Sequence, residues 1–236
     1  ACSKEANDGD AGAQANLAFL YAQGKGIEQS YAEAVDWYRR AAEQGEFTAQ
    51  HSLALMYAEG QGLSQDYAEA VRWFRRAAEQ GYALAQYNLG LLHYEGQGVT
   101  QDYAQAESWY RLAAIQGYAP AQYNLGYLYR EGKGVPQDHG EAVKWFRKAA
   151  EQGIPQAQVD IAYAYAEGRG IAKNYYDAVK WYRAAAEQGH ALAQNSLGLL
   201  FAEGEGVSQD YAEAVIWFRK AADQGDARAQ HNLGFL

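Results

Sequence analysis

Cysteine is nearly missing from this chain: Cys2 is the only one among 236 residues. One thiol excludes an intrachain disulfide and a cysteine-based metal site. Proline is almost as scarce. Three prolines beside 20 tyrosines and six tryptophans are not the composition of a disordered segment. No apolar run approaches the ~18 residues that would read as a membrane-spanning helix. Positive charge is also short, with Lys+Arg 20 against Asp+Glu 29 and a net charge of −9. That balance argues against nucleic acid as the main partner, because phosphate neutralisation needs a basic face. What remains is 49% hydrophobic, enough for a sizeable core.

The tryptophans carry the architecture. They stand at Trp37, Trp73, Trp109, Trp145, Trp181 and Trp217, always 36 residues apart. Arg39, Arg75, Arg111, Arg147, Arg183 and Arg219 keep the same step, as do Gly45, Gly81, Gly117, Gly153, Gly189 and Gly225, with Gly9 in phase before them. A fixed period of this length is the signature of a solenoid or array.

Each repeat reads as two helices. In the second, Leu53, Met56 and Tyr57 fall at i, i+3, i+4, with Ala49 one turn earlier. The pattern stops at Gly60-Gln61-Gly62-Leu63, where a left-handed glycine can close the helix. The next helix opens at Ser30, Asp66, Asp102, Asp138, Asn174 or Asp210, followed three residues later by Glu33, Glu69, Gln105, Glu141, Asp177 or Glu213. Five of these six pairs are of the capping-box type, with Asn174/Asp177 a looser variant. Pro120 and Pro155 fit first-helix starts, and Pro136 fits a turn. Ala18, Ala54, Gly90, Gly126, Ala162, Gly198 and Gly234 share one mid-helix position. Glycine there costs about 1 kcal/mol against alanine, so the paired helix must come close, pressing its aromatic bulk on this spot. The expected fold is all-α, a solenoid of 36-residue helix-turn-helix repeats that bury their faces on one another.

These residues resemble the Sel1-like repeat family, a relative of the tetratricopeptide repeat. The matching run reads Ala121 to Leu125-Gly126, Tyr129, Gly132, Gly134-Val135, Asp138, Ala142, Trp145-Phe146 and Ala149-Ala150. The resemblance extends from Gly9 to the end. It implies a right-handed α/α superhelix with the first helices lining its concave side. It also implies a non-catalytic adaptor or scaffold that binds other proteins, bacterial and often exported to the envelope or outside. A cytoplasmic position is the alternative. Some family members carry cysteine staples and were linked to penicillin binding; the cysteines are missing here, so neither property carries over.

In register, residues 1–8 are the remnant of a preceding second helix or an N-terminal tail, and 9–236 form one solenoid of six repeats plus a partial seventh first helix. Phe235-Leu236 is not a polar capping face, and the chain reads as an excerpt of a longer protein or one whose cap lies elsewhere. The Ala1-Cys2-Ser3 start resembles a lipoprotein cleavage site after signal removal. A lipid anchor at Cys2 is one reading, and an ordinary exposed thiol is the preferred one.

Catalytic constellations are not legible. The six Gly-x-Gly pairs follow helices, whereas a dinucleotide loop needs a strand before it and a third glycine. His51, His93, His139, His190 and His231 have no partner histidine at i+3 or i+4, which leaves a catalytic zinc site unsupported. His93 replaces a tyrosine of the other repeats and reads as semi-buried. No serine stands apart from its repeat position as a nucleophile would. No enzyme activity, cofactor or metal is expected. Glu59, Glu95, Glu131, Glu167 and Glu203 end their helices against the dipole, and the arginine ladder is expected to offset them. An acidic strip gripping a basic partner is the functional alternative.

A binding face should instead break the repeat. By analogy with tetratricopeptide repeats, the concave face shows a changing set, and its aromatics gather in the middle. The candidate groove centres on Tyr87, Tyr94, Tyr123, Tyr127, Tyr163 and Arg130, with Asn88 and Asn124 holding an extended segment. Tyr and Arg anchor interfaces. The competing reading packs these rings against adjacent first helices. The function expected is a scaffold binding a protein or peptide. A carbohydrate- or cell-wall-binding module is the alternative, and a hydrolase of cell-wall or β-lactam substrates is disfavoured.

Overall fold

The computed structural model describes residues 2–235, except for the Cys2 and Ser3 side chains, so the readings placed on Ala1, the Cys2 thiol and Leu236 lie outside the described residues. Fourteen helices and no strand occur among the described residues. After α1 (Cys2–Asn7), first and second helices alternate: α2 (Ala11–Gln23) with α3 (Tyr31–Glu43), α4 (Phe47–Glu59) with α5 (Tyr67–Glu79), and α6 (Ala83–Glu95) with α7 (Tyr103–Ile115). They continue as α8 (Ala119–Glu131) with α9 (His139–Glu151), α10 (Pro155–Glu167) with α11 (Tyr175–Glu187), α12 (Ala191–Glu203) with α13 (Tyr211–Ala222), and α14 (Ala227–Leu233). The helix pairs of the solenoid fall into two compact units, Ala1–Ala121 and Gln122–Leu236.

The punctuation of the sequence acts as expected at most points. Ser30, Asp66, Asp102, Asp138, Asn174 and Asp210 each accept a backbone N–H of the first turn they cap. The reciprocal half of the capping box is replaced. The cap's own N–H is donated to a carbonyl at the end of the first helix, as from Asp66 to Tyr57 and from Asn174 to Tyr165, both 2.9 Å. The acidic residue three places on is thereby released: Glu141 pairs with Lys144, and Glu213 accepts the Trp217 indole N–H at 2.9 Å.

Packing explains the small mid-helix position. A methyl group on Gly90, Gly126 or Gly198 would stand 2.7 Å from the ring of Tyr110, Phe146 or Phe218. Those rings are buried, as are Leu89, Leu125 and Leu197. Burying one such side chain contributes about 1.5–3 kcal/mol, which exceeds the ~1 kcal/mol helix cost of glycine.

A buried polar chain joins neighbouring repeats. Gln14, Gln50, Gln86, Gln122, Gln158 and Gln194 are 3–5% exposed. The Nε2 groups of Gln50, Gln86, Gln158 and Gln194 donate to the carbonyls of Ala42, Ala78, Ala150 and Ala186 at 3.0–3.2 Å. Their Oε1 atoms accept from Gln80, Gln116, Gln188 and Gln224, each at 2.8 Å. Each clasp ties three consecutive helices. Ala6 of α1 receives the Gln14 amide at 3.1 Å, so α1 serves as the end of a second helix does elsewhere.

Candidate functional site

The sequence-predicted tyrosines fall in both units. In Ala1–Ala121, Tyr87 is half-buried, with ring centroids 5.8 Å from Tyr110 and 5.2 Å from Tyr118. Tyr94 packs on Tyr103 at 5.1 Å. The Asn88 amide is directed at the neighbouring first helix, 3.0 Å from His51 Nε2. The same spacing of 37 residues recurs where Asn232 donates to Asn195 at 2.9 Å and where the Tyr123 phenol reaches Asp160. Adjacent first helices thus spend part of the predicted polar set on each other.

His51 is enclosed by Phe74 and Tyr82, at 5.4 and 5.2 Å between centroids, and burial pushes its pKa down to about 4. The ring is therefore neutral at pH 7, with Nε2 accepting from Asn88. The unfolded value is near 6.5. The stability gained by this depressed pKa is complete above pH 6.5 and is lost as pH falls toward 4, an effect of about 3 kcal/mol. His51→Asn, which copies the Asn195–Asn232 pair, is expected to remove that part of the acid lability. Urea unfolding at pH 7 and pH 4.5 checks it: the gap between wild type and variant should change with pH. A constant gap would show that His51 does not titrate with folding. His93, the tyrosine replacement, is also buried, and burial followed by the nearby Arg75 charge lowers its pKa.

Of the candidates in Gln122–Leu236, Arg130 and Tyr163 line one cleft. Tyr123 and Asn124 are half-buried on α8, with the Tyr123 ring 5.7 Å from Phe146. Arg130, at the end of α8, donates through Nη1 to Asp160 on α10 at 2.6 Å and through Nε to Glu131 at 2.8 Å. Its guanidinium also lies 5.0 Å from the Tyr127 ring centroid. Burial raises the Asp160 pKa, and the Arg130 charge opposes that rise; burial and the Asp160 charge raise Tyr123. Tyr163 is 43% exposed with Arg169 above its ring at 5.5 Å. Arg130, Asp160, Tyr163 and Arg169 line a cleft of about 300 Å³ beside the start of α9.

Arg169 and Asp160 escaped the sequence choice of key residues, although both depart from their repeat positions. The expected Glu–Arg ladder takes other partners where its members are seen, and Arg111 pairs with Glu107 one turn back on α7. Arg39 and Arg147 donate to the Tyr57 and Tyr165 hydroxyls at 3.3 and 2.8 Å, while Glu131 pairs with Arg130. A tyrosine 18 residues on stands nearer the guanidinium than the helix-final carboxylate. Among the described residues no group of three or more His, Cys, Asp or Glu could hold a metal ion, and no helix is long and apolar enough to cross a membrane.

The Sel1 repeat family model matches six times, at residues 11–46, 48–82, 83–118, 119–154, 155–190 and 191–226. Among solved structures, the chain is similar to c5321, a protective antigen present in uropathogenic Escherichia coli strains, with 41% identity and a TM-score of 0.96. That match covers 99% of this chain and 50% of c5321, so the chain spans half the length of that relative. A Sel1 repeat protein from Oxalobacter formigenes is 36% identical at a TM-score of 0.76, over 90% of this chain and 85% of the other. Immunity protein PA5088 from Pseudomonas aeruginosa, 22% identical at a TM-score of 0.51 over 91% of this chain and 82% of its own, shares the fold alone. Comparison with curated proteins gives no match. The capped helix pairs and the small residue, glycine at Gly90, Gly126 and Gly198, beneath the second helix's aromatic ring agree with these matches: the chain belongs to the Sel1 repeat family.

Proposed function

We propose that this protein is a non-catalytic scaffold that binds a protein or extended peptide across its first helices, through Tyr87, Asn88, Tyr94, Tyr123, Asn124, Tyr127, Arg130 and Tyr163. The observation that carries the reading is the contrast between constant and variable positions. The glutamine clasps, caps and glycines recur in nearly every repeat and hold the stack together. The tyrosines are confined to the middle repeats, at 87 and 123 and at 127 and 163, Arg130 stands at its position in one repeat, and Tyr163 keeps 43% of its surface exposed. Exposed aromatic and arginine side chains on a rigid support are the anchors of protein interfaces. The family supports protein partners, and a relative that is a protective antigen suits a place in the envelope or outside the cell.

Tyr127→Ala/Tyr163→Ala tests the reading. Both rings are replaced by leucine in other repeats, at Leu55, Leu91 and Leu199, so neither is needed to close the stack. Partner capture from an extract of the native host is expected to fall at least tenfold, read by quantitative mass spectrometry, with the helical signal and Tm unchanged. Undiminished capture by a folded double variant would refute this face as the binding surface.

A further inference from the structure

Asp160 is the odd member of its repeat position. Its counterparts are Asn16, Ser52, Asn88, Asn124, Ser196 and Asn232, so a neutral side chain suffices for stacking there. The Asp160 side chain is only 14% exposed, and its Oδ1 accepts from Arg130 Nη1 at 2.6 Å. The Tyr123 phenol approaches the same carboxyl, yet Oδ2 has no hydrogen-bond partner among the described residues. Buried polar atoms are nearly always satisfied, and an exception calls for a reason. Replacing a half-buried ion pair with neutral groups is often neutral or stabilising. Packing alone therefore gives no reason for a carboxylate whose second oxygen goes unused.

We infer that the cleft binds a main-chain amide of an extended partner segment, whose N–H is donated to Asp160 and whose carbonyl accepts from Arg169. This deepens the scaffold reading and rests on it. Two guanidinium groups, Arg130 and Arg169, and two carboxylates, Glu131 and Asp160, line the cleft. The lining has no net charge, so an anion or a cation would meet a like charge for every opposite one, and a neutral occupant is favoured. Arg130 is already engaged: Asp160 and Glu131 hold two of its edges, at 2.6 and 2.8 Å. Arg169 makes no ion pair among the described residues and lies over the Tyr163 ring at 5.5 Å. Its repeat counterparts are Lys25, Gln61, Gln97, Lys133 and Glu205, so this turn has no structural need for arginine. One acceptor and one donor are thus left over, the two that a secondary amide satisfies at once. Beside them, Val143 and Ala164 supply an apolar wall for a side chain of the same segment. A sugar also offers donors and acceptors, but it would need an open aromatic face to stack on, and Arg169 covers that of Tyr163.

The test is an NMR titration of the full chain, isotopically labelled, with acetyl-valine methylamide. Saturable shifts are expected at Tyr163 and Arg169. The diester analogue of the probe, in which oxygen replaces each N–H, should bind at least tenfold more weakly, the loss expected for one hydrogen bond to a charged group. Asp160→Ser, already the residue of two other repeats, should show the same tenfold loss toward the amide and none toward the diester, with an unchanged Tm; if it unfolds, the diester on the wild-type chain decides. Arg169→Gln should weaken both probes alike, since both keep the carbonyls. No saturable shift, equal binding of the diester, an unaffected folded Asp160→Ser variant, or tighter binding of acetate or methylammonium would each overturn the proposal. Tighter binding of N-acetylglucosamine would overturn it in favour of a glycan. Failure here with loss of capture by Tyr127→Ala/Tyr163→Ala would leave the scaffold reading standing and discard only the amide site.

Discussion

Substitution of Gly170 by alanine is expected to destabilise the Gln122–Leu236 unit by about 3 kcal/mol, combining ~1–2 kcal/mol of left-handed strain with ~1–3 kcal/mol of overpacking. Gly170 has φ +73°, and a methyl group there would lie 2.3 Å from the backbone carbonyl of His139. That neighbour is main chain at the start of α9, so it cannot swing aside. Gly153 is the internal control. Its φ is +90°, with nothing within 4 Å of an added methyl group, so Gly153→Ala should cost only the conformational part, about 1–2 kcal/mol. Urea unfolding checks the pair, because a lower midpoint with an unchanged m-value reports stability alone. Equal losses would mean that the turn after α10 relaxes away from α9. The result bears on function too, since His139 lines the cleft that Arg130 and Arg169 share.

Much of this fold was legible because repetition multiplies weak signals. One N-cap residue is a modest hint, but six in register with six tryptophans leave little freedom. The mid-helix glycines were also readable: a costly residue at a fixed place implied a ring above it, and Tyr110, Phe146 and Phe218 supply it. Less legible was where polar side chains spend their hydrogen bonds. The spacing predicts the second half of the capping box, yet a carbonyl nine residues back competes for the same N–H and wins. The candidate face was legible only as composition. Sequence shows tyrosines gathering in the middle repeats; it does not show that Asn88 is directed at His51 or that Arg130 is fixed by Asp160. Those pairings join residues 37 and 30 positions apart on adjacent first helices, and only the stacking geometry brings them together. The repeated glutamines carried a signal that was available. A polar residue recurring every 36 positions on an otherwise apolar face has to be satisfied inside.

Gln158→Leu carries that point to its consequence. Leucine nearly matches glutamine in volume, so the substitution removes hydrogen bonds with little cavity. Two groups lose one of their partners: the Ala150 carbonyl, which keeps the Gly153 N–H at 3.0 Å, and the exposed Gln188 amide, which keeps the Ala184 carbonyl at 3.4 Å. A hydrogen bond contributes a net ~0.5–1.5 kcal/mol, for an expected loss of about 1–3 kcal/mol. A surface pair such as Lys144–Glu141, with side chains 69% and 36% exposed, is screened by water and contributes little, so Lys144→Ala should barely register. The location matters as much as the size. The clasp joins α9, α10 and α11, and in a stacked array stability is the sum of repeat terms and neighbour terms. Removing a neighbour term should therefore loosen cooperativity as well as lower the midpoint. Hydrogen exchange should show protection in α10 and α11 falling below that in α12 and α13, where the Gln194–Gln224 clasp at 2.8 Å is intact. If Gln158→Leu melts with wild-type sharpness and within about 0.5 kcal/mol of wild type, the range of an ordinary surface change, the apolar contacts of the alanines and aromatic rings carry the coupling, and the amide chain merely fills polar space.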